Sequence, residues 1–392
     1  MIKIVKLEEL ASVKGGKRLP KGVNLITTPN SHPYIRVRDL NNRHTLELNA
    51  DFEYVDDETQ ESIARYIVDR GDIVLSIVGT IGLVAIVGDS LHRANLTENC
   101  VKLTQLNGVD RDYLYYFLKS ELGQAEIAKG TVGAVQAKLP IKNIQSIDVV
   151  LPDIEQQKKI ASILAAIDYK IEANEKINDN LQQQAFALFD KLVSGAHLEV
   201  CSLSEIAELN PKRTLTKNVM ARCIDMAQLS TSGSFPNGWE IKPYNGGMRF
   251  TNGDTLLARI TPCLENGKTA YIDFLDTDEV AFGSTEYVVM CSQGQYPSEF
   301  FYCLARYPSF VDYAVKNMNG SSGRQRVSAE TIGKYLLPRL TDDELTEFRD
   351  VVPSLFSAMR VNSLENIRLS ELRDALLPKL ISGEINVSDI QF

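Results

Sequence analysis

The chain has little of what most metalloenzymes and secreted proteins are built around. Its 392 residues hold four scattered histidines and six cysteines (Cys100, Cys201, Cys223, Cys263, Cys291, Cys303) with no C-x-x-C pair. That argues against structural zinc and against a disulfide framework, and makes a reducing, cytoplasmic setting the expectation. No apolar run approaches the ~20 residues of a membrane span, and the opening MIKIVKLEEL does not read as a signal peptide. No GxGxxG is present, no Ser-His-Asp or Cys-His arrangement can be assembled, and the Asn/Asp-Pro-Pro-aromatic tetrapeptide of amino-methyltransferases is missing. Asn266-Gly267-Lys268-Thr269 looks like the end of a phosphate-binding loop, but that pattern needs glycine at 262, where Pro262 stands. Positive charge is also short, with 42 Lys and Arg against 51 Asp and Glu and a net charge of −9. By itself this argues against a nucleic-acid binder. The acidic excess is proportionally largest in the last segment, however, so basic loops elsewhere can still hold phosphate.

What is there is written twice. VKLEELASVKGGKRLPKG (5–22) resembles CSLSEIAELNPKRTLTKN (201–218), and RGDIVLSIVGTIGLVAIVGD (70–89) follows the pattern of NGDTLLARITPCLENGKTAYID (252–273). ENCVKLTQLNGVDRDYLYYFLKS (98–120) parallels TEYVVMCSQGQYPSEFFYCLARY (285–307), each a strand followed by an aromatic-rich helix. Each half then ends on a strand closing with Leu-Pro, and KLVSG (191–195) recurs as KLISG (379–383). A repeat of this length constrains the whole fold, and 392 residues suffice for two cores.

Between these landmarks the periodicity changes. Ile160, Leu164, Ile167, Ile171, Asn174, Asn178, Leu181, Ala185, Leu188 and Leu192 keep 4-3 spacing, the mark of a coiled-coil helix. The second half answers with Phe348, Val352, Leu355, Met359, Asn362, Asn366, Leu369, Arg373, Leu376 and Leu380. Asp153 with Gln156, and Thr341 with Glu344, read as N-terminal caps; Gly195 and Gly383 stand where C-terminal caps belong. Pro353 is expected to kink or restart the second helix. Asn174, Asn178, Asn362 and Asn366 are candidate helix-pairing residues, since seam asparagines fix register. Antiparallel pairing sets Asn174 against Asn366 and Asn178 against Asn362. Parallel pairing also matches asparagine with asparagine, so periodicity alone leaves the direction open. The expected organisation is α+β: head 1–152, helix 153–195, a similar head 196–338, then helix and tail 339–392, related by an internal pseudo-twofold.

Two heads on a spacer suit a reader of two separated sites, such as DNA half-sites about 34 Å apart per helical turn. Lys14, Lys17, Arg18 and Lys21, and their counterparts Lys212, Arg213 and Lys217, suit phosphate contacts. Arg324, Gln325 and Arg326 lie in a Gly/Ser-rich loop, and arginine and glutamine are the residues that pair bidentately with guanine and adenine. The first half has Gln136 and Lys138 there, and the polar loop 259–268 adds Arg259, Thr261, Asn266 and Lys268. Each alone fits a solvated loop; their recurrence in both halves gives them weight. Two other classes compete. Asp225 with Glu240 and Lys242 has the form of a magnesium-dependent nuclease site, although the triplet lacks a counterpart in the first half, and a two-headed chain could equally bind proteins.

LPDIEQQKKIASILAAIDYKIE (151–172) resembles the conserved region of type I restriction-modification specificity subunits. ARITPCLENGKTAYIDFL and VAFGSTEYVVM (258–275, 280–290) are similar to one class of their target-recognition domains, and the KLxSG endings fit. The resemblance covers essentially the whole chain. It implies two target-recognition domains on antiparallel helices, each reading half of a bipartite site in double-stranded DNA. It implies no catalysis in this chain and no metal. Two modification subunits using S-adenosylmethionine would dock here, joined by restriction subunits using ATP and magnesium. TDDELTEFRD (341–350) lacks the Glu-Gln of the first region, so the two docking sites are expected to differ in detail.

Overall fold

The computed structural model describes residues 3–40, 43–133, 135–195, 199–321 and 323–387; the end of the expected tail, 388–392, lies outside them. It divides into two compact units, Met1–Glu172 with Leu369–Phe392, and Ala173–Arg368.

In the first unit, aliphatic runs such as IVLS and VAIV become short strands buried on both faces. Five strands form a mixed sheet in the order Ser12–Gly15, Cys100–Thr104, Ile73–Ser76, Val84–Val87, Thr45–Leu46, only the last pairing being parallel. A second sheet places Pro33–Ile35 between Glu53–Tyr54 and Asn95–Leu96. Lys3–Lys6 pairs with Asp148–Leu151 and so joins the head's beginning to its end. Helix Arg111–Lys119 is capped by Asp110, whose carboxylate accepts from the Tyr113 N–H at 3.0 Å. It buries Tyr113, Leu114, Phe117 and Leu118 against the larger sheet. Ile160 and Leu164 of the first long helix and Leu380 and Ile381 of the second belong to the same core.

The second unit repeats this order. Ala207–Leu209, Tyr287–Ser292, Thr255–Ala258 and Thr269–Tyr271 form one sheet, and Glu240–Pro243, Met220–Ile224, Ala281–Gly283 and Met248–Phe250 the other. Val200–Ser202 pairs with Leu336–Pro338. The repeat diverges at one strand: Thr45–Leu46 extends the larger sheet of the first unit, whereas Met248–Phe250 joins the sheet of Met220–Ile224 in the second. Phe300, Phe301 and Leu304 pack with Ala185 and Phe189 of the first long helix and Phe348, Val352 and Phe356 of the second.

The two long helices run Ile154–Val193 and Asp342–Ser382. Asp153 accepts from the Gln156 N–H at 3.0 Å, and Thr341 and Glu344 exchange side-chain to backbone hydrogen bonds at 3.3 and 2.7 Å. Gly383 ends the second helix at φ 78°, a left-handed conformation that glycine adopts without strain. In the second unit the pairing is antiparallel, Lys191 near the end of one helix meeting Glu347 near the start of the other at 2.6 Å. The first unit shows the same direction, with Arg373 against Asp168 at 2.9 Å.

Of the two outcomes expected at Pro353, a kink or a restart, the restart does not occur: one helix runs Asp342–Ser382. A mid-helix proline costs about 3 kcal/mol, and here the flanking Phe348, Val352 and Phe356 are all buried in the core, which holds both sides of the proline in place. One end of each long helix packs into each head's core, so each compact unit contains part of both helices.

Candidate nucleic-acid interface

In the first unit the basic turn follows strand Ser12–Gly15. Gly16 passes so close to its neighbours that a Cβ would lie 2.0 Å from the Thr97 carbonyl oxygen, which leaves room only for glycine. The Gly16 and Lys17 N–H groups donate to Cys100 and Leu96 at 3.0 and 2.8 Å, pinning the turn to the sheet. Lys14, Lys17, Arg18 and Lys21 are all exposed beyond it. Arg18 pairs with Glu98 at 2.7 Å yet keeps 80% of its side chain in solvent. Lys17 sits 5.5 Å from the Tyr66 ring centroid.

A hairpin lies elsewhere in the same head, against the segment after strand Ile73–Ser76. Val132 and Lys138 exchange backbone hydrogen bonds at 2.9 Å, Lys138 also bridges to Val78, and the Leu139 N–H donates to Ile77 at 2.9 Å. The second unit builds the same object: Asn319 and Arg326 exchange bonds at 2.9 Å, Arg326 bridges to Ile260, and the Val327 N–H donates to Arg259 at 3.0 Å. Lys138 and Arg326 therefore hold equivalent backbone positions. Gln136 and Lys138 on one hairpin and Arg324 on the other are exposed, while Gln325 and Arg326 are half-buried.

Other candidates face different tasks. The Arg213 guanidinium is committed inward to Asp254, at 2.6 and 2.7 Å, and Asp254 is 1% exposed. Burial nonetheless holds the Asp254 carboxyl above its ordinary range. Lys268 donates to the Met226 carbonyl at 2.7 Å and ties the 259–268 loop to the turn that follows strand Met220–Ile224. Thr261 meets the hairpin through its backbone, donating to the Gln325 carbonyl at 3.0 Å. Asn266, Lys212 and Lys217 are exposed.

The helix asparagines meet in the second unit. Asn174 Nδ2 donates to Asn366 Oδ1 at 2.8 Å and to Glu365 at 2.8 Å; Asn362 Nδ2 donates to Asn178 Oδ1 at 2.8 Å.

Asp225, Glu240 and Lys242 also come together, as a lysine between two carboxylates at 2.8 and 3.0 Å. Hydrogen bonds to Asp225 and then Glu240 hold the Lys242 ammonium above its usual range, so it is a poor proton acceptor. The equivalent strand pair of the first unit is closed by Arg36 against Glu53, with the cation on the other strand. A salt bridge of reversible polarity at that place is a strand clamp. Among the described residues no cluster of three His, Cys, Asp or Glu side chains is arranged to hold a metal, and no helix is long and apolar enough to cross a membrane.

Two site residues escaped sequence reasoning. Val135, fully exposed at the first hairpin's tip, carried a signal, an apolar residue inside a glycine-flanked turn. Glu286, which grips Arg326 of the second hairpin and Arg259 of the neighbouring loop, carried none beyond its place before a strand.

Residues 2–183 match the family described as the type I restriction modification DNA specificity domain. The chain is 23% identical over 389 residues to the type I restriction enzyme MjaIX specificity subunit of Methanocaldococcus jannaschii, covering 91% of this chain and 88% of that one. It is 24% identical over 327 residues to the HindI specificity subunit of Haemophilus influenzae, covering 63% and 71%. The crystal structure of a type I restriction-modification S subunit from M. genitalium superposes with a TM-score of 0.60 at 16% identity, over 97% of this chain and 96% of that one. That structure has the same fold. With its duplicated heads and paired helices, the chain is similar to type I restriction-modification specificity subunits over nearly all of its length.

Proposed function

We propose that the chain is the DNA-reading subunit of a type I restriction-modification complex, without catalytic activity of its own. Each head binds one half of a bipartite site in double-stranded DNA. The observation that carries this reading is the pair of equivalent hairpins, 131–139 and 319–327, each bearing amide and cationic side chains and each bridged to the segment that follows a buried strand. Lys14, Lys17, Arg18 and Lys21 in the first head, and Lys212 and Lys217 in the second, supply phosphate contacts that position each head. Gln136, Lys138, Arg324, Gln325 and Arg326 face the base edges, and Val135 suits the methyl group of thymine. The cleft of about 270 Å³ between the end of one long helix and the start of the other, lined by Leu188, Leu192, Phe348, Lys191 and Glu347, offers a partner subunit an apolar floor with charges at its rim. Two modification subunits holding S-adenosylmethionine would use the helices as their dock, and restriction subunits with ATP and magnesium would join them.

The test is binding by the chain assembled with its modification subunits. Site-specific affinity should fall steeply with salt and vanish when either half-site is scrambled. Mapping methylated adenines should yield a split motif with one modified base in each half. Indifference to scrambling in both halves refutes the reading.

A further inference from the structure

On the second hairpin three side chains from distant segments form one assembly. Arg326 Nε and Nη2 donate to both oxygens of Glu286 at 2.8–3.0 Å, and Arg259 Nε reaches the same carboxylate at 3.2 Å. The backbone fixes all three: the Arg259 N–H donates to the Glu286 carbonyl at 3.0 Å, and Val327 donates to Arg259 at 3.0 Å. The rows that carry Glu286, Arg259 and Arg326 thus lie side by side, where cross-strand side chains meet. Hydrogen bonding from Arg326 holds the Glu286 carboxyl below its ordinary range, so it remains ionised at neutral pH. The Arg326 side chain keeps 40% of its surface in solvent.

We infer that Arg326, held by Glu286, is the guanine-reading residue of the second head; this rests on the DNA-recognition reading above. A guanidinium has five N–H donors. Glu286 takes those of Nε and one on Nη2, and the Arg324 carbonyl takes one on Nη1 at 3.0 Å. What is left is one donor on each terminal nitrogen, the pair that guanine N7 and O6 accept in the major groove. Glu286 acts as a positioning residue: it fixes the plane of the fork and removes the rotamer freedom an exposed arginine would otherwise lose on binding.

The first head has no such assembly. At the equivalent backbone positions stand Ile77, Asn99 and Lys138, with Ile77 donating to the Asn99 carbonyl at 2.8 Å and Leu139 donating to Ile77 at 2.9 Å. Lysine is a point charge without a planar fork. The effect of breaking the assembly therefore belongs to one half-site.

The experiment uses the full chain with its modification subunits and a DNA library randomised through both half-sites, read by which molecules become methylated. Wild type, Arg326→Lys, Arg326→Gln and Glu286→Gln are compared. Arg326→Lys keeps the charge and, with 40% of the side chain in solvent, the fold. We expect wild type to require guanine at one position of one half-site. Arg326→Lys and Glu286→Gln should both lose that preference, by roughly 5- to 150-fold, the range of one bidentate base contact, with the other half-site unchanged. The inference is overturned if Arg326→Lys leaves every base preference intact while the split site is still methylated. It is equally overturned if the variants weaken all sequences uniformly and lower the salt dependence, the signature of a phosphate contact. A wild-type complex that prefers no split sequence refutes the recognition reading itself.

Discussion

Arg373 is the one charged residue among the seam positions, and its partner there is Asp168, 2.9 Å away and 5% exposed. The second oxygen of Asp168 accepts from the Tyr116 hydroxyl at 2.7 Å. At the corresponding places of the second unit stand Ala185 and Phe356, both fully buried. Changing Arg373 to methionine keeps the bulk of the stem but leaves the Asp168 carboxylate in the interior without its cation. Breaking a buried pair in this way costs about 3–5 kcal/mol, which raises the local opening constant roughly 10²- to 10⁴-fold. Replacing the whole constellation is different. Asp168→Phe, Arg373→Ala and Tyr116→Phe together install the apolar solution of the other unit and leave no orphaned hydroxyl. Such swaps of buried ion pairs are neutral or stabilise by about 1–4 kcal/mol. The sole tryptophan, Trp239, lies in the second unit, so its fluorescence does not report on this cluster. Hydrogen exchange of peptides spanning 111–119 and 160–172 does, since exchange there follows opening. Arg373→Met should exchange faster by the stated factor, and the triple variant no faster than wild type. Wild-type exchange in Arg373→Met, or a triple variant faster than it, refutes the reasoning.

Arg213→Met should destabilise the second unit by about 3–5 kcal/mol, because it strands Asp254; here Trp239 fluorescence in urea is the measure, and an unchanged midpoint would return Arg213 to the phosphate-contacting set. The pH dependence of that variant has a definite sign. Burial raises the Asp254 pKa, so its penalty grows as pH rises from the unfolded carboxylate range through the folded value. Asp254→Asn should therefore be flatter than wild type across that window. Gly16→Ala should displace the basic turn from the Thr97 carbonyl and weaken DNA binding for every sequence alike, read as a uniform loss in a titration. The Cys100 thiol is pushed up to about 12 by burial from an ordinary 9.0, so it should alkylate roughly a thousandfold slower than a free thiol at pH 8. Mass spectrometry of the native protein after iodoacetamide checks this, and rapid labelling of Cys100 would contradict its burial.

Much of this was legible before any coordinates because periodicity is a property of the chain alone. The 4-3 spacing marks the helices, and the order of strand, turn and aromatic helix marks the two heads. The asparagines could be matched in pairs, though only the folded helices decide that Asn174 meets Asn366. What remained hidden depends on neighbours far apart in sequence. Lys212 and Arg213 are adjacent in the chain, yet one is exposed and the other is turned inward by a single buried aspartate. Glu286 was invisible because Arg259 and Arg326 reach it only after three segments are laid side by side. Pro353 shows the reverse: the local rule allows a restart, and the packing around it keeps one helix.

The hairpins have an evolutionary consequence. Each is anchored at its inner end by one buried aliphatic residue, Leu139 at 1% exposure and Val327 at 0%, and by a few backbone bonds. Backbone bonds are indifferent to the side chains beyond them. The residues between those anchors can thus be rewritten without touching either core, so that a new sequence preference can arise from a handful of substitutions in one head while the other keeps its old one.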